Sequence, residues 1–321
     1  MCGTRLFASI LLCLSLAGCS VELDDDLLWV PENLTIDERF EGSTGLFMGR
    51  ALSEPLEREL SHREYWTTKI EYRLEADDFI PAEITRRTLP FEGGDLLVVE
   101  ITREASATAQ GPIFVHCYGI GANLYNNGIQ HAIKLRAFGD SVQFDLPGHG
   151  ESTGQATVAN FEAAADALVA YINETVPEDR RLILWGHSLG GFVCSELARR
   201  INAADGLVLE AVGQNAATVA RTWVPLPLRP FIYFKPTDGL EAYDLTTILN
   251  GVDLPVLMLA GGKDGIVPKR LVKDVADALD ANGTNVTYHA FPRADHSTIA
   301  FADGFEDVVH RYLASVSLAR D

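Results

Sequence analysis

Short apolar runs and helix-forming stretches take turns along most of this 321-residue chain, and that alternation restricts its fold more than any other feature. Leu96 to Ile101, Ile113 to Cys117, Ser141 to Asp145, Arg181 to Trp185, Leu207 to Ala211, Val256 to Ala260 and Val286 to Phe291 read as strands. Val158 to Glu174, Gly191 to Ile201, Arg270 to Ala281 and Phe305 to Leu318 read as helices. Strands that are apolar at nearly every position are buried on both faces, and parallel neighbours need a crossover long enough to hold a helix. The expectation is an α/β fold, a mostly parallel sheet with helices on both faces. The alternation lapses between Val212 and about Asn250, where Trp223, Phe231, Tyr233, Phe234 and Tyr243 mix with Pro225, Pro227, Pro230 and Pro236. So much proline forbids one long helix. This segment is expected as a short lid insertion over the sheet, with aromatics that either line an apolar pocket or pin the insertion to the core.

Two pentapeptides fit Gly-x-Ser-x-Gly. Gly186-His187-Ser188-Leu189-Gly190 follows an expected strand and opens an expected helix. Gly150-Glu151-Ser152-Thr153-Gly154 follows Pro147-Gly148-His149-Gly150 and leads into polar Gln155 and Thr157 with no immediate helical run. Only the first has the strand, turn and helix in which glycines let backbones cross closely and leave a serine hydroxyl exposed. Its helix start also directs backbone N–H groups at developing negative charge. The second reads as a loop.

A serine hydroxyl is a poor nucleophile until a histidine accepts its proton and a carboxylate orients that imidazole. Asp264 lies in the segment Gly261 to Pro268, just after one expected strand, and His296 lies in the loop after the next. Parallel strands deliver their C-terminal loops to one edge of the sheet, so Ser188, Asp264 and His296 can converge there. His187 adjoins the serine, His289 falls within a strand and His310 on a helix, which leaves His296 best placed. Glu210, at the end of the preceding strand, is the alternative acid.

In its elbow and in the order Ser, Asp, His, the chain resembles the α/β-hydrolase superfamily from about residue 91 to residue 318. Asp145-Leu146-Pro147-Gly148-His149-Gly150-Glu151-Ser152 is similar to the D-x-P-G-H-G-x-S loop of the branch that holds monoacylglycerol lipases and serine aminopeptidases. The resemblance implies a structural loop, with His149 as a substrate contact in the alternative. It also implies that His116-Cys117-Tyr118-Gly119 stands where the superfamily has its His-Gly-x-Gly oxyanion loop, with Cys117 replacing the first glycine. The backbone N–H groups of Tyr118 and Leu189 would then hold the oxyanion. The implied activity is hydrolysis of a small-molecule carboxylic ester with an apolar acyl group, through an acyl-enzyme on Ser188 and without metal or organic cofactor. Thioesters and amides suit the same triad, and a surface protein that keeps the scaffold only for binding is the other class.

At the N-terminus, Arg5 precedes a mostly apolar run from Leu6 to Ala17 that is too short to span a bilayer, the layout of a secretory leader. Leu16-Ala17-Gly18-Cys19 resembles the lipobox of bacterial lipoproteins. That resemblance implies removal of residues 1–18, lipid on Cys19, and anchoring to the cell envelope outside the cytoplasm. Ser20 in the following position implies the outer membrane. Residues 19–90, with the acidic run Asp24 to Asp26 and a helix-like stretch from Arg58 to Trp66, are expected as a tether and N-terminal extension, and residues 91–321 as the hydrolase domain. A net charge of −19 and no cluster of Lys and Arg exclude nucleic acid as an expected partner. Past Cys19 only Cys117 and Cys194 remain, and their apolar neighbours favour small core residues over a disulfide. No CxxC pair or His-Glu-x-x-His motif points to a metal site.

Overall fold

The computed structural model describes residues 19–23, 82–103, 111–119, 123–124 and 135–318. The expected leader, the stretch from Arg58 to Trp66 and most of the expected tether lie outside them. The strands are β1 (Cys19–Leu23), β2 (Ala82–Phe91), β3 (Gly94–Arg103), β4 (Ile113–Cys117), β5 (Asp140–Phe144), β6 (Leu182–His187), β7 (Gly206–Glu210), β8 (Ile232–Pro236), β9 (Val256–Gly261) and β10 (Val286–Phe291). Eight of them form one sheet in the order β10-β9-β7-β6-β4-β5-β3-β2. Pairing is parallel from β10 through β5, and antiparallel from β5 to β3 and from β3 to β2.

β6 runs between β4 and β7, and all six of its residues are buried. Its side chains alternate between two cores because successive residues of a strand point to opposite faces. Leu182 and Leu184 join one core with helix α1 (Val158–Thr175), helix α2 (Gly190–Arg200) and helix α4 (Lys269–Ala281). Ile183 and Trp185 join the other with helix α5 (Phe305–Leu318). The helices bury narrow stripes, as in α4 with Leu271, Val272, Val275, Ala276 and Leu279. Each such leucine or valine taken fully from water contributes about 1.5–3 kcal/mol. Helix α1 begins where Thr157 accepts a hydrogen bond from the Asn160 N–H, a cap that stabilises by about 1 kcal/mol. Among the described residues, no helix is long and apolar enough to cross a membrane.

The sheet starts at Ala82 rather than at Phe91. β2 is an edge strand with Glu83, Ile84, Arg86, Arg87 and Thr88 exposed, so it carries no buried apolar face for a sequence pattern to reveal.

Between β7 and β9 the insertion forms helix α3 (Ala216–Trp223), strand β8 and two single helical turns, Asp238–Glu241 and Leu245–Ile248. Asp244 closes it at the base. One carboxylate oxygen caps the last turn at the Thr246 N–H, and the other accepts from the side chains of Gln214 and Asn215. Burial alone would raise the Asp244 carboxyl, but the hydrogen bonds from Thr246, Asn215 and Gln214 outweigh it and hold the group below its usual range. Within this cap β8 pairs with β1 in parallel, from Cys19 opposite Ile232 to Leu23 opposite Pro236, so part of the expected tether is a strand of the cap.

Candidate active site

Ser188 occupies the turn between β6 and α2 with φ at 53°, a left-handed conformation that costs a non-glycine residue roughly 1–3 kcal/mol. The surrounding packing holds it there. A β-carbon on Gly186 would lie 2.5 Å from the Gly190 carbonyl oxygen, and one on Gly190 would lie 2.1 Å from the Cys117 carbonyl oxygen. Only glycine lets β6, the start of α2 and the end of β4 pack this closely. The Ser188 N–H donates to the Glu210 carbonyl at 2.9 Å, and the Ser188 carbonyl accepts from the Gly191 N–H at 3.0 Å. The serine itself is half-buried.

His296 and Asp264 meet at the ends of β10 and β9. His296 Nδ1 donates to Asp264 Oδ2 at 2.8 Å. The other carboxylate oxygen accepts from the backbone N–H groups of Ile266 and Val267, both at 2.8 Å, so its own turn fixes Asp264. Because an ionised carboxylate only accepts, the imidazole proton sits on Nδ1 and leaves a lone pair on Nε2. His187 ties this loop to the elbow. Its Nε2 donates to the His296 carbonyl at 2.8 Å, and the two imidazole rings lie 4.9 Å apart. The His296–Asp264 pair thus lies at the same edge of the sheet as Ser188, joined to the elbow through His187. Glu210 does not join them, since its carboxylate accepts from Trp185 Nε1 at 3.0 Å inside the core.

Tyr118 follows β4 directly, against the start of α2 where Leu189 lies. Its side chain is buried and its hydroxyl donates to Gln143 at 2.7 Å. Gly119 packs on the elbow, so that a β-carbon there would stand 3.2 Å from the Ser188 β-carbon. The expectation for the two cysteines is corrected here: Cys117 and Cys194 form a disulfide that joins the end of β4 to α2 across 77 positions. Both are fully buried, which is why apolar neighbours alone suggested ordinary core residues. The bridge sits one residue before Tyr118 and within two turns of Ser188.

A small apolar recess, partly open to solvent, lies beside the elbow. Phe161, Leu189, Phe192, Leu240 and Tyr243 are among its lining residues. The insertion's aromatics therefore divide. Tyr243 lines the recess and Phe234 packs on the core, whereas Trp223, Phe231 and Tyr233 are exposed.

The second pentapeptide is a buried brace. Ser152 Oγ accepts from the Leu97 N–H at 2.8 Å and donates to the Asp145 carbonyl at 2.7 Å. Asp145 accepts from the N–H groups of Leu124 and Glu151, and burial pushes its carboxyl up to about 7 against those bonds. His149 is buried, with Nδ1 donating to the Pro147 carbonyl at 3.0 Å. Among the described residues, no three His, Cys, Asp or Glu side chains group so as to hold a metal ion.

A parallel sheet with helices on both faces, a strained serine between strand and helix, and a carboxylate-bound histidine at the same edge define the α/β-hydrolase class of fold. The chain belongs to the Alpha/beta hydrolase family, whose model matches residues 113–294. It is 28% identical over 209 residues to the lysophosphatidylserine lipase ABHD12 of Danio rerio, covering 59% of this chain and 53% of that one. The chain thus spans about half the length of that relative. It is 27% identical over 205 residues to a pimeloyl-[acyl-carrier protein] methyl ester esterase of Neisseria meningitidis, covering 49% of this chain and 76% of that one. An α/β hydrolase from Vibrio vulnificus shares the fold with a TM-score of 0.59 at 18% identity, over 78% of this chain and 86% of that one.

Proposed function

We propose that the protein is a serine hydrolase of carboxylic esters, with Ser188 as nucleophile, His296 as general base and acid, and Asp264 as the carboxylate that orients the imidazole. The observation that carries this reading is the 2.8 Å bond from His296 Nδ1 to Asp264, on a loop tied to the elbow through His187. Ser188 Oγ attacks the ester carbonyl carbon while His296 Nε2 takes the hydroxyl proton, and the carbonyl π pair moves onto oxygen. The backbone N–H groups of Tyr118 and Leu189 receive that oxyanion, each worth about 3–4 kcal/mol in such sites. Collapse expels the alcohol, which takes the proton from His296. Water, deprotonated by the same nitrogen, then releases the acid from Ser188, and no metal or organic cofactor takes part.

The recess beside Leu189 is lined by apolar side chains, which favours an apolar group on the substrate, and the two relatives whose names specify an ester or lipid substrate favour esters over amides. Incubation of the purified protein and its Ser188→Ala variant with a fluorophosphonate probe, followed by assay of esters of increasing acyl length, tests the reading. Labelling of the parent alone with ester turnover is expected. Hydrolysis of thioesters or amides alone would reassign the substrate class, and no labelling with no turnover would leave a binding scaffold.

We further propose that residues 1–18 are an export leader and that Cys19 carries lipid at the bacterial cell envelope, at the outer membrane. The buried Cys117–Cys194 disulfide supports this, because structural disulfides persist in oxidising compartments outside the cytoplasm. Palmitate labelling of the parent, absent from Cys19→Ala, is the expected result.

A further inference from the structure

The cap presents an outer face that its inner packing does not use. Trp223, Leu226, Phe231 and Tyr233 are 46%, 73%, 58% and 55% exposed, although each is a residue type that folding normally removes from water. They are grouped by the local structure. Along β8, Ile232 turns inward and is buried, so Phe231, Tyr233 and Lys235 share the opposite, outward side. Trp223 ends α3, and Leu226 lies between exposed Pro225 and Pro227 in the turn that follows.

Charge separates along the same segment. Residues 211–237 contain Arg221, Arg229 and Lys235 and no Asp or Glu, in a chain whose net charge is −19. Arg221 and Lys235 are exposed, while Arg229 braces the turn by donating to the carbonyls of Thr222 and Val224. Aromatic and aliphatic side chains flanked by cations, on a body that is otherwise strongly acidic, match the layering of a phospholipid surface: phosphates outside, hydrocarbon beneath. The partner strand β1 lies in register along β8, with Cys19 opposite inward Ile232 and with Ser20 and Glu22 opposite outward Tyr233 and Lys235.

We infer that this face of the cap, formed by Trp223, Leu226, Phe231 and Tyr233 with Arg221 and Lys235, seats the protein on a phospholipid bilayer. The inference rests in part on the proposed lipid attachment, since β1, the strand that begins at Cys19, is paired along β8 and so ties a lipid there to the same two-stranded sheet. It also turns the cap, whose Tyr243 and Leu240 line the recess, toward the source of apolar esters.

The experiment separates the two readings by using the chain from residue 19 with Cys19→Ser, which carries no lipid. It is sedimented with vesicles of phosphatidylcholine and phosphatidylglycerol, and Trp223 emission is read as the difference from Trp223→Phe in vesicles with brominated acyl chains. Binding with quenching of Trp223 is expected. Combined Leu226→Ser, Phe231→Ser and Tyr233→Ser substitutions should lower partitioning at least about tenfold while turnover of a short soluble ester stays unchanged. Arg221→Glu with Lys235→Glu should lower binding about tenfold and only where phosphatidylglycerol is present. No binding by the unlipidated chain, or equal binding by the triple variant, overturns the inference, as does a concentration-dependent dimer that the triple variant abolishes and vesicles do not compete with. Binding by a chain whose parent takes no palmitate would sink the anchor reading and leave this one standing.

Discussion

Ser188 and Ser152 each have a glycine two residues before and two residues after, yet the fold exposes one hydroxyl at a strained turn and seals the other inside a loop. Ser188 has φ at 53° and stays half-buried because strand, helix and β4 converge on glycines around it. Ser152 gives its proton to the Asp145 carbonyl and takes one from the Leu97 N–H, so its hydrogen-bonding capacity is spent on joining the loop to β3. A pentapeptide therefore says little about reactivity. What matters is whether the turn leaves the oxygen with a partner of its own.

The largest contrast between the two serines is expected in turnover. Ser188→Ala should lower kcat by about 10⁵ to 10⁶, the loss expected when the nucleophile of a triad is removed, with thermal stability equal to or above that of the parent because the strained site loses only a hydroxyl. Steady-state kinetics on a soluble ester beside a melting curve measures both. Retained turnover in Ser188→Ala would break the contrast outright.

The disulfide sharpens the same contrast, since it braces the elbow and leaves the Ser152 loop untouched. Cys194→Ala should cost about 2–5 kcal/mol of unfolding free energy, read from denaturant titration, because the unfolded chain regains the freedom of a loop closed over 77 positions. Cys117→Ala should give a loss of the same size, and the double variant no more than either alone. A loss equal to the sum of the singles would mean that the two sulfurs act separately.

Sequence pattern made the sheet, its order of helices and the pairing of His296 with Asp264 legible because strand period, helix period and loop position are local properties. Three features were not. β2 escaped because an exposed edge strand has no apolar alternation to detect, and Arg86 and Arg87 read as solvated charge. The Cys117–Cys194 bridge escaped because apolar neighbours describe a buried thiol and a buried disulfide equally well. The joint made by His187 escaped because it is a side chain reaching the backbone of residue 296, and only the assembled sheet edge brings the two together.

Each serine also bonds the backbone carbonyl of a residue whose carboxyl is buried, and the two carboxyls are satisfied differently. Asp145 behind Ser152 accepts two backbone N–H groups, whereas Glu210, whose carbonyl holds the Ser188 N–H, has Trp185 on one oxygen and, among the described residues, no hydrogen-bond partner for the other. Burial raises the Glu210 carboxyl from its ordinary 4.5 to about 7, against the lowering effect of Trp185. A raised value means that the native state binds the proton more tightly than the unfolded chain. This group's contribution is therefore fully present below about pH 4.5 and is lost as pH rises through about 7. Glu210→Gln keeps an acceptor for Trp185 and removes the titration. It should flatten the pH dependence of stability over that window, by about 3 kcal/mol at most, and gain on the parent at pH 8 but not at pH 4. Identical slopes in parent and variant would show that the carboxyl stays ionised.

The smallest effect is expected where the pattern is idle. Ser152→Ala removes the acceptor of the Leu97 N–H and the donor to the Asp145 carbonyl, both out of reach of bulk water. Leaving a buried N–H without a partner costs about 1–3 kcal/mol, so the midpoint of denaturation should fall by that amount. Turnover should stay within about twofold of the parent, because neither Asp145 nor Leu97 contacts the His296 loop through Ser152. The ratio of the two losses is the sharper measure: Ser188→Ala removes activity and spares stability, and Ser152→Ala does the reverse. If Ser152→Ala instead lowered kcat with no change in stability, the brace would be part of the reacting centre, and the glycines flanking it would need the same explanation as those around Ser188.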